Sequence, residues 1–232
     1  MFKLENVVPW GRSFQEYVNM FNLTPNDLKE SILDCGAGPS SFNAQMTRSG
    51  GKVISCDPIY QFTGEEIQKR IQATYPMIIS DLEENFDKFV WKDMKSPEHL
   101  GQVRMAAMNR FLEDFTPGIR EGRYQIQSLP YLSFSTGEFD IALCSHFLFT
   151  YSEQFSKDFH LAAILEMCRV AKDVRVFPLL KNFTGEPSPY LEPIKEALGA
   201  RGYKVTIEQV SYEFQRNGDR LLHITNTKSG NQ

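Results

Sequence analysis

Two short apolar runs, each ending in residues suited to binding, constrain this chain more than any other feature. Residues 32–38 read Ile-Leu-Asp-Cys-Gly-Ala-Gly, and residues 53–57 read Val-Ile-Ser-Cys-Asp. The first run breaks into Asp34, Gly36 and Gly38; the second stops at Asp57, 21 residues after Gly36. Glycines let a backbone turn sharply and approach a ligand closely, because no Cβ blocks either. An acid at the tip of the next strand can accept both hydroxyls of a ribose. A glycine-rich strand-to-helix turn followed at this distance by an acid is the logic of nucleotide-cofactor binding in open α/β sheets.

The rest of the chain supplies the other layers of such a sheet. Phe14, Tyr17, Val18 and Phe21 fall at i, i+3, i+4 and i+7, which predicts an amphipathic helix over 13–22. Thr24 before Pro25 reads as the start of a helical turn through Lys29. Strands are expected at 31–34, 52–56, 123–127, 139–144 and 174–180, with helices at 41–49, 154–171 and 193–201. Two strand-like runs, 204–214 and 220–226, flank Asn217-Gly218, a hairpin signal. Between the second and third strands lies a polar, helix-patterned stretch, about 58–121, with expected helices at 64–74, 80–92 and 97–114 broken near Pro76 and Pro97. That is far more than the usual short connections of an α/β unit. It reads as a helical insertion within a single domain spanning 1–232, preceded by N-terminal helices in 1–30. Alternating strands and helices imply an α/β, Rossmann-like, doubly wound, mainly parallel sheet. The terminal hairpin adds an antiparallel strand.

Composition removes several classes. Hydrophobic residues make up 41% and charged residues 23%, as in an ordinary globular protein. Net charge is −4 and no block of like charge stands out, so nothing signals a nucleic-acid or membrane surface. The first ten residues carry no signal-type apolar run, and the four cysteines show no metal-pair spacing or disulfide framework. A cytoplasmic protein with reduced thiols is expected.

Taken together these residues resemble the class I S-adenosylmethionine-dependent methyltransferase family. ILDCGAGPSSF is similar to its first glycine-rich motif, with Asp57 at its ribose position. LPYLSFSTGEFDIALCSHFLF is similar to the stretch leading into its fourth strand, and EMCRV to the helix before its fifth. The match covers roughly 31–57 and 123–226. Two departures stand out: Pro39-Ser40 replaces a third glycine, and Ser128 stands where an acid often meets the adenine amino group. The resemblance implies S-adenosylmethionine as cofactor. It puts Asp34, Gly36, Ala37 and Gly38 at the methionine end, Asp57 and Pro58 at the ribose, Ser128 and Leu129 at the adenine, and Ser145 beside the pocket. The family's N-terminal helix often folds over the cofactor, so Arg12, in Pro-Trp-Gly-Arg-Ser, either pairs with the cofactor carboxylate or is a solvated arginine.

Several residues have two readings. His146, just past the fourth strand, is either a general base for a methyl acceptor or a neighbour lining the cofactor pocket. Asp57 either holds a ribose or caps the turn before Pro58. The insertion is either a lid over the acceptor or an appendage packed on the sheet. In the family's sheet order the strands of Cys35, Cys56 and Cys144 would be neighbours, but no His or further Cys completes a metal set, so no metal is expected. The functional expectation is methyl transfer to an unidentified, small-molecule acceptor. A non-catalytic cofactor-binding protein and a nicotinamide-dependent oxidoreductase are the alternatives. Asn-Pro-Pro-Tyr, which serves amino-group methylation, is missing.

Overall fold

The structure, a computed structural model, describes residues 8–181 and 184–226. Its seven strands form one sheet: β1 (Ser31–Cys35), β2 (Lys52–Cys56), β3 (Tyr124–Gln125), β4 (Phe139–Ser145), β5 (Ala171–Phe177), β6 (Tyr203–Gln209) and β7 (Arg220–Asn226). The order across the sheet is β3-β2-β1-β4-β5-β7-β6. All neighbours from β3 to β5 are parallel, and β7 runs antiparallel to both β5 and β6. This is the doubly wound, mainly parallel sheet with a C-terminal antiparallel pair that the sequence predicts.

Strand side chains alternate between two cores. Ile32, Val53, Ile141 and Leu143 pack against helices α1 (Phe14–Met20) and α2 (Phe42–Arg48) through Tyr17, Met20, Phe42 and Met46. Leu33, Ala142, Val174 and Val176 face the other way, onto α5 (Lys157–Val170) and α6 (Leu191–Gly199) through Ile164, Met167 and Ile194. With both faces covered, the central strands are nearly continuous apolar runs. Each fully buried large side chain contributes about 1.5–3 kcal/mol.

The insertion departs from expectation. A single helix, α3 (Gly64–Glu84), runs through Pro76, and α4 spans Pro97–Arg120. Proline removes one i→i−4 bond, here to the Gln72 carbonyl. Gln72 and Pro76 are both exposed, so water can satisfy that carbonyl, while Ile67, Ile71, Ile78 and Leu82 bury the opposite face. Of the helix expected at 80–92, residues 80–84 belong to α3, which closes at Asn85, and a 3-10 turn (Phe86–Lys88) leads into a bridge between Phe89 and Gln215.

Other boundaries move, among them β5, expected at 174–180 and found at Ala171–Phe177 directly after α5 ends at Val170. β3 is only Tyr124–Gln125, because β2 alone pairs with it at the sheet edge. The turn after Thr24 is a 3-10 turn, Asp27–Lys29, although Thr24 and Asp27 exchange side chain–backbone bonds of 2.9 and 3.1 Å. At Asn217 (φ 68) the chain does turn, but it closes no tight hairpin, since β6 and β7 part at Gln209 and Arg220. The loop between them pairs instead with the insertion: Val90 N–H donates to the Phe214 carbonyl (2.8 Å) and Arg216 N–H to Lys88 (2.9 Å). Among the described residues no helix is long and apolar enough to cross a membrane.

Candidate functional site

The site lies at the carboxyl edge of the sheet, where β1, β2 and β4 end side by side. Gly36 turns the chain out of β1 with φ +63, and a Cβ there would stand 3.1 Å from the Phe147 ring. Only glycine meets both demands without strain. Gly36 N–H donates to the Cys56 carbonyl at 2.9 Å, tying the loop to β2. Asp57 completes the clamp: Oδ2 accepts from Gly38 N–H (2.9 Å) and Oδ1 from Ile59 N–H (2.8 Å). Tyr60 O–H donates to the Gly38 carbonyl at 2.9 Å. Asp57 therefore caps the turn at Pro58, one of its two sequence readings. A carboxylate has about four lone-pair sites, so each oxygen keeps capacity for another donor.

Two contiguous cavities meet at this clamp. The larger, about 670 Å³, has Asp57, Pro58, Gln127, Ser128, Leu129 and Phe147 among its walls, with Arg70 and Thr74 of α3 on the outer side. Its size is typical of a small-molecule site. The narrower chamber, about 120 Å³, holds Arg12, Ala37, Ser145, His146 and Arg104. Gly36, Gly38, Asp57 and Phe147 line both.

The N-terminal segment roofs the narrow chamber. Gly11 sits so tightly on the loop that a Cβ would fall 1.9 Å from the Pro39 carbonyl oxygen. Ser41 N–H donates to the Arg12 carbonyl at 3.0 Å. The half-buried Arg12 side chain donates to the Trp10 carbonyl (2.8 Å) and leaves Nε buried without a partner among the described residues. Burial, and then the charge of Arg104, lower its pKa to about 10. Arg104, from α4, is itself buried and pairs with Glu16 of α1; Tyr212 O–H donates to the same carboxylate at 3.0 Å. Burial alone would raise the Glu16 pKa, but the Arg104 charge and hydrogen bonds outweigh it and hold it at about 2. The same carboxylate caps α1 through Ser13. Helix, insertion and the 210–219 loop thus meet on one ion pair.

His146 has φ +49, uncommon for a residue with a Cβ. Its backbone N–H donates to the Phe177 carbonyl (2.6 Å), its ring stands edge-on to Phe177, and Nδ1 lies 2.9 Å from Ser145 Oγ. Burial first, then the charges of Arg12 and Arg104, push its pKa well below the usual histidine value. The ring is a neutral acceptor or donor, not a cation.

Of the residues singled out in the sequence, Arg12, Gly36, Ala37, Gly38, Asp57, Pro58, Ser128, Leu129, Ser145 and His146 all line one cavity or both. Asp34 does not. It is fully buried beneath the loop, where its Oδ1 accepts from Tyr17 O–H at 3.2 Å. Burial pushes its carboxyl up to about 8, with the Tyr17 bond opposing and the Asp57 charge adding to the rise. Cys35 is in register with both Cys56 and Cys144, and burial raises all three thiols, Cys144 to about 12. All four cysteines are free, and among the described residues no cluster of His, Cys, Asp or Glu is placed to hold a metal. Sequence reasoning missed Arg104, Phe147, Thr150 and Gln127. Phe147 sits in the quoted SHFLF stretch next to His146, and Thr150 is the residue just after that stretch. Arg104 carries no local signal, because only the docking of α4 onto α1 makes it part of the site.

No family model matches the chain. It is 34% identical over 222 residues to the uncharacterized protein MJ0045 of Methanocaldococcus jannaschii, an alignment spanning 95% of this chain and 97% of that one. The chain belongs to the MJ0045 family. Among solved structures it is similar to magnesium protoporphyrin IX methyltransferase (ChlM) from Synechocystis PCC 6803 with bound SAM. That match has 13% identity and a TM-score of 0.43, covering 87% of this chain and 73% of that one. It is also similar to a SAM-dependent methyltransferase from Aquifex aeolicus, with 12% identity, a TM-score of 0.42 and 90% of each chain covered.

Proposed function

We propose that this MJ0045-family protein is a cytoplasmic S-adenosylmethionine-dependent methyltransferase acting on a small molecule. The observation that carries the reading is the placement of Asp57. It stands at the junction of the two cavities, fixed by two backbone N–H groups, with lone pairs to spare for a sugar. The residues present fit the cofactor. Arg12 offers a buried, unpartnered Nε to a carboxylate in the narrow chamber. The wide cavity has apolar walls, among them Ile59, Leu129, Leu132 and Phe147, for a flat base. Ser128 and the Leu129 backbone stand where the base edge would lie. S-adenosylmethionine supplies an activated methyl group on a sulfonium.

The chain's own work is to position the reactants and exclude water. The Gly36–Gly38 turn, clamped by Asp57 and Tyr60, gives a rigid floor on which backbone approaches the ligand closely. Asp57 would accept the ribose hydroxyls in charge-assisted bonds of about 1.5–3 kcal/mol each. His146, neutral and lining the narrow chamber, takes a proton from the acceptor. The insertion, through Ile78, Leu82, Leu100 and Arg104, walls that chamber and acts as its lid. Calorimetric titration with S-adenosylmethionine, S-adenosylhomocysteine and NAD tests the reading. Binding of the first two without NAD is expected, and the reverse order of affinities overturns it.

A further inference from the structure

The narrow chamber contains polar and aromatic groups that cofactor binding leaves unused. Thr150, in the 3-10 turn Phe149–Tyr151, is one of its walls, and its buried hydroxyl has no hydrogen-bond partner among the described residues. Buried polar groups are nearly always paired, so an orphan at a cavity wall points to a ligand. His146 lies on the same loop, with Nδ1 engaged by Ser145 and Nε2 outside that bond. The Ser145 hydroxyl in turn lies 3.9 Å from Met20 Sδ, as a weak donor to it. In that chain of bonds Nδ1 carries the proton and Nε2 the lone pair.

The walls are aromatic. Trp10, Phe89, Phe147, Tyr151 and Phe214 line the chamber, and Phe89 stacks on Phe214 at 4.9 Å. The charged residues among its described walls are Arg12, Asp57 and Arg104. Arg104 is matched by Glu16, Asp57 is engaged by two backbone N–H groups, and Arg12 is assigned above to the cofactor carboxylate. An ionic acceptor would find no counter-ion left.

We propose that Thr150 and His146 bind the hydroxyl of an uncharged, single-ring phenol, which is the methyl acceptor. This rests on the methyltransferase reading above. The chamber's volume of about 120 Å³, shared with the cofactor carboxylate assigned to Arg12, leaves room for no more than one ring. Charge selects oxygen over nitrogen. A neutral amine becomes cationic as it is methylated, next to the Arg12 and Arg104 charges that already act on His146. A phenol instead gives up its proton as it is methylated, so its product is a neutral ether that needs no counter-ion. The weak basicity of His146 also suits an O–H of pKa about 10 rather than a far less acidic aliphatic alcohol. As the acceptor oxygen takes the methyl group from sulfur, the S–C electron pair stays on sulfur and the O–H proton passes to His146 Nε2. The imidazolium then releases that proton to water.

The test uses 4-methylphenol, 4-methylbenzylamine and 4-methylbenzoate titrated into the full chain saturated with S-adenosylhomocysteine, followed by turnover with S-adenosylmethionine. The phenol should bind at least tenfold more tightly than either charged analogue and give its methyl ether by mass spectrometry. Thr150→Val should raise KM for 4-methylphenol by about three- to tenfold, the loss of one hydrogen bond, with kcat and cofactor Kd nearly unchanged. Equal or tighter binding of a charged analogue, no binding by any of the three, or an unchanged KM in the variant overturns the proposal. If the cofactor itself does not bind, the methyltransferase reading fails separately. The same three compounds, titrated into the cofactor-free protein, still decide what the chamber prefers.

Discussion

Replacing Glu16 by Gln probes the ion pair on which helix α1, the insertion and the 210–219 loop converge. Glu16 is 5% exposed and Arg104 is 1% exposed, so the substitution leaves a guanidinium charge in the interior with only neutral acceptors, the new amide oxygen and the Tyr212 hydroxyl, beside it. Breaking a buried pair from one side costs about 3–5 kcal/mol. The pH linkage gives the same order: a carboxyl held at about 2 rather than 4.5 corresponds to roughly 3 kcal/mol at neutral pH. For a domain of this size each kcal/mol lowers Tm by about 2–4 °C, so Glu16→Gln should melt roughly 6–20 °C below the wild type. The pH dependence has a definite sign. The folded pKa is depressed, so the stabilisation is fully present above the unfolded value near 4.5 and is lost as pH falls toward 2. Calorimetric scans at pH 7 and at a series of lower pH values should therefore show the gap between the two proteins closing in acid. The double variant Glu16→Leu with Arg104→Met removes both charges and should recover most of the loss. A Tm within 2 °C of wild type for Glu16→Gln at pH 7, or a gap that widens in acid, would refute the reasoning.

Two other outcomes follow from particular contacts. Gly36→Ala forces a Cβ to within 3.1 Å of Phe147 at φ +63, which costs about 1–3 kcal/mol; urea unfolding should show that loss, and an unchanged midpoint would contradict the turn described. His223 lies 3.0 Å from Asp173 and 2.6 Å from Glu208, and these hydrogen bonds, Asp173 first, raise its pKa despite partial burial. Its contribution is fully present below the unfolded value near 6.5 and is lost as pH rises through the raised folded value, so His223→Gln should lower Tm at pH 5.5 and much less at pH 9.

How much of this was legible depended on whether the information was local. β1 and β2 are apolar runs with abrupt punctuation, so Gly36, Gly38 and Asp57 could be placed without any knowledge of packing. His146 and Ser145 followed because the end of β4 must lie at the same edge. Pro76 misled for a physical reason: proline costs a helix about 3 kcal/mol through a lost hydrogen bond and a ring clash with the carbonyl four residues back, and here burial of Ile67, Ile71, Ile78 and Leu82 along the same helix offsets that cost. Asn217-Gly218 forms its turn, yet contacts with residues 88–90, distant in sequence, decide where the strands separate. Asp34 stands in the motif but beneath the surface, and its burial is set by Tyr17 on α1. Arg104 gave no signal, since a lone arginine on an amphipathic helix says nothing until Glu16 arrives beside it.

The most direct test of the account is a calorimetric titration of S-adenosylmethionine into the wild-type chain and into Asp57→Asn. Asparagine keeps a cap for the turn at Pro58 but loses the charge and one acceptor oxygen. The wild type should bind, and the variant should bind at least tenfold more weakly while melting within a few degrees of it. Equal affinities, or no measurable binding by the wild type, would contradict the claim that this carboxylate holds the cofactor's sugar.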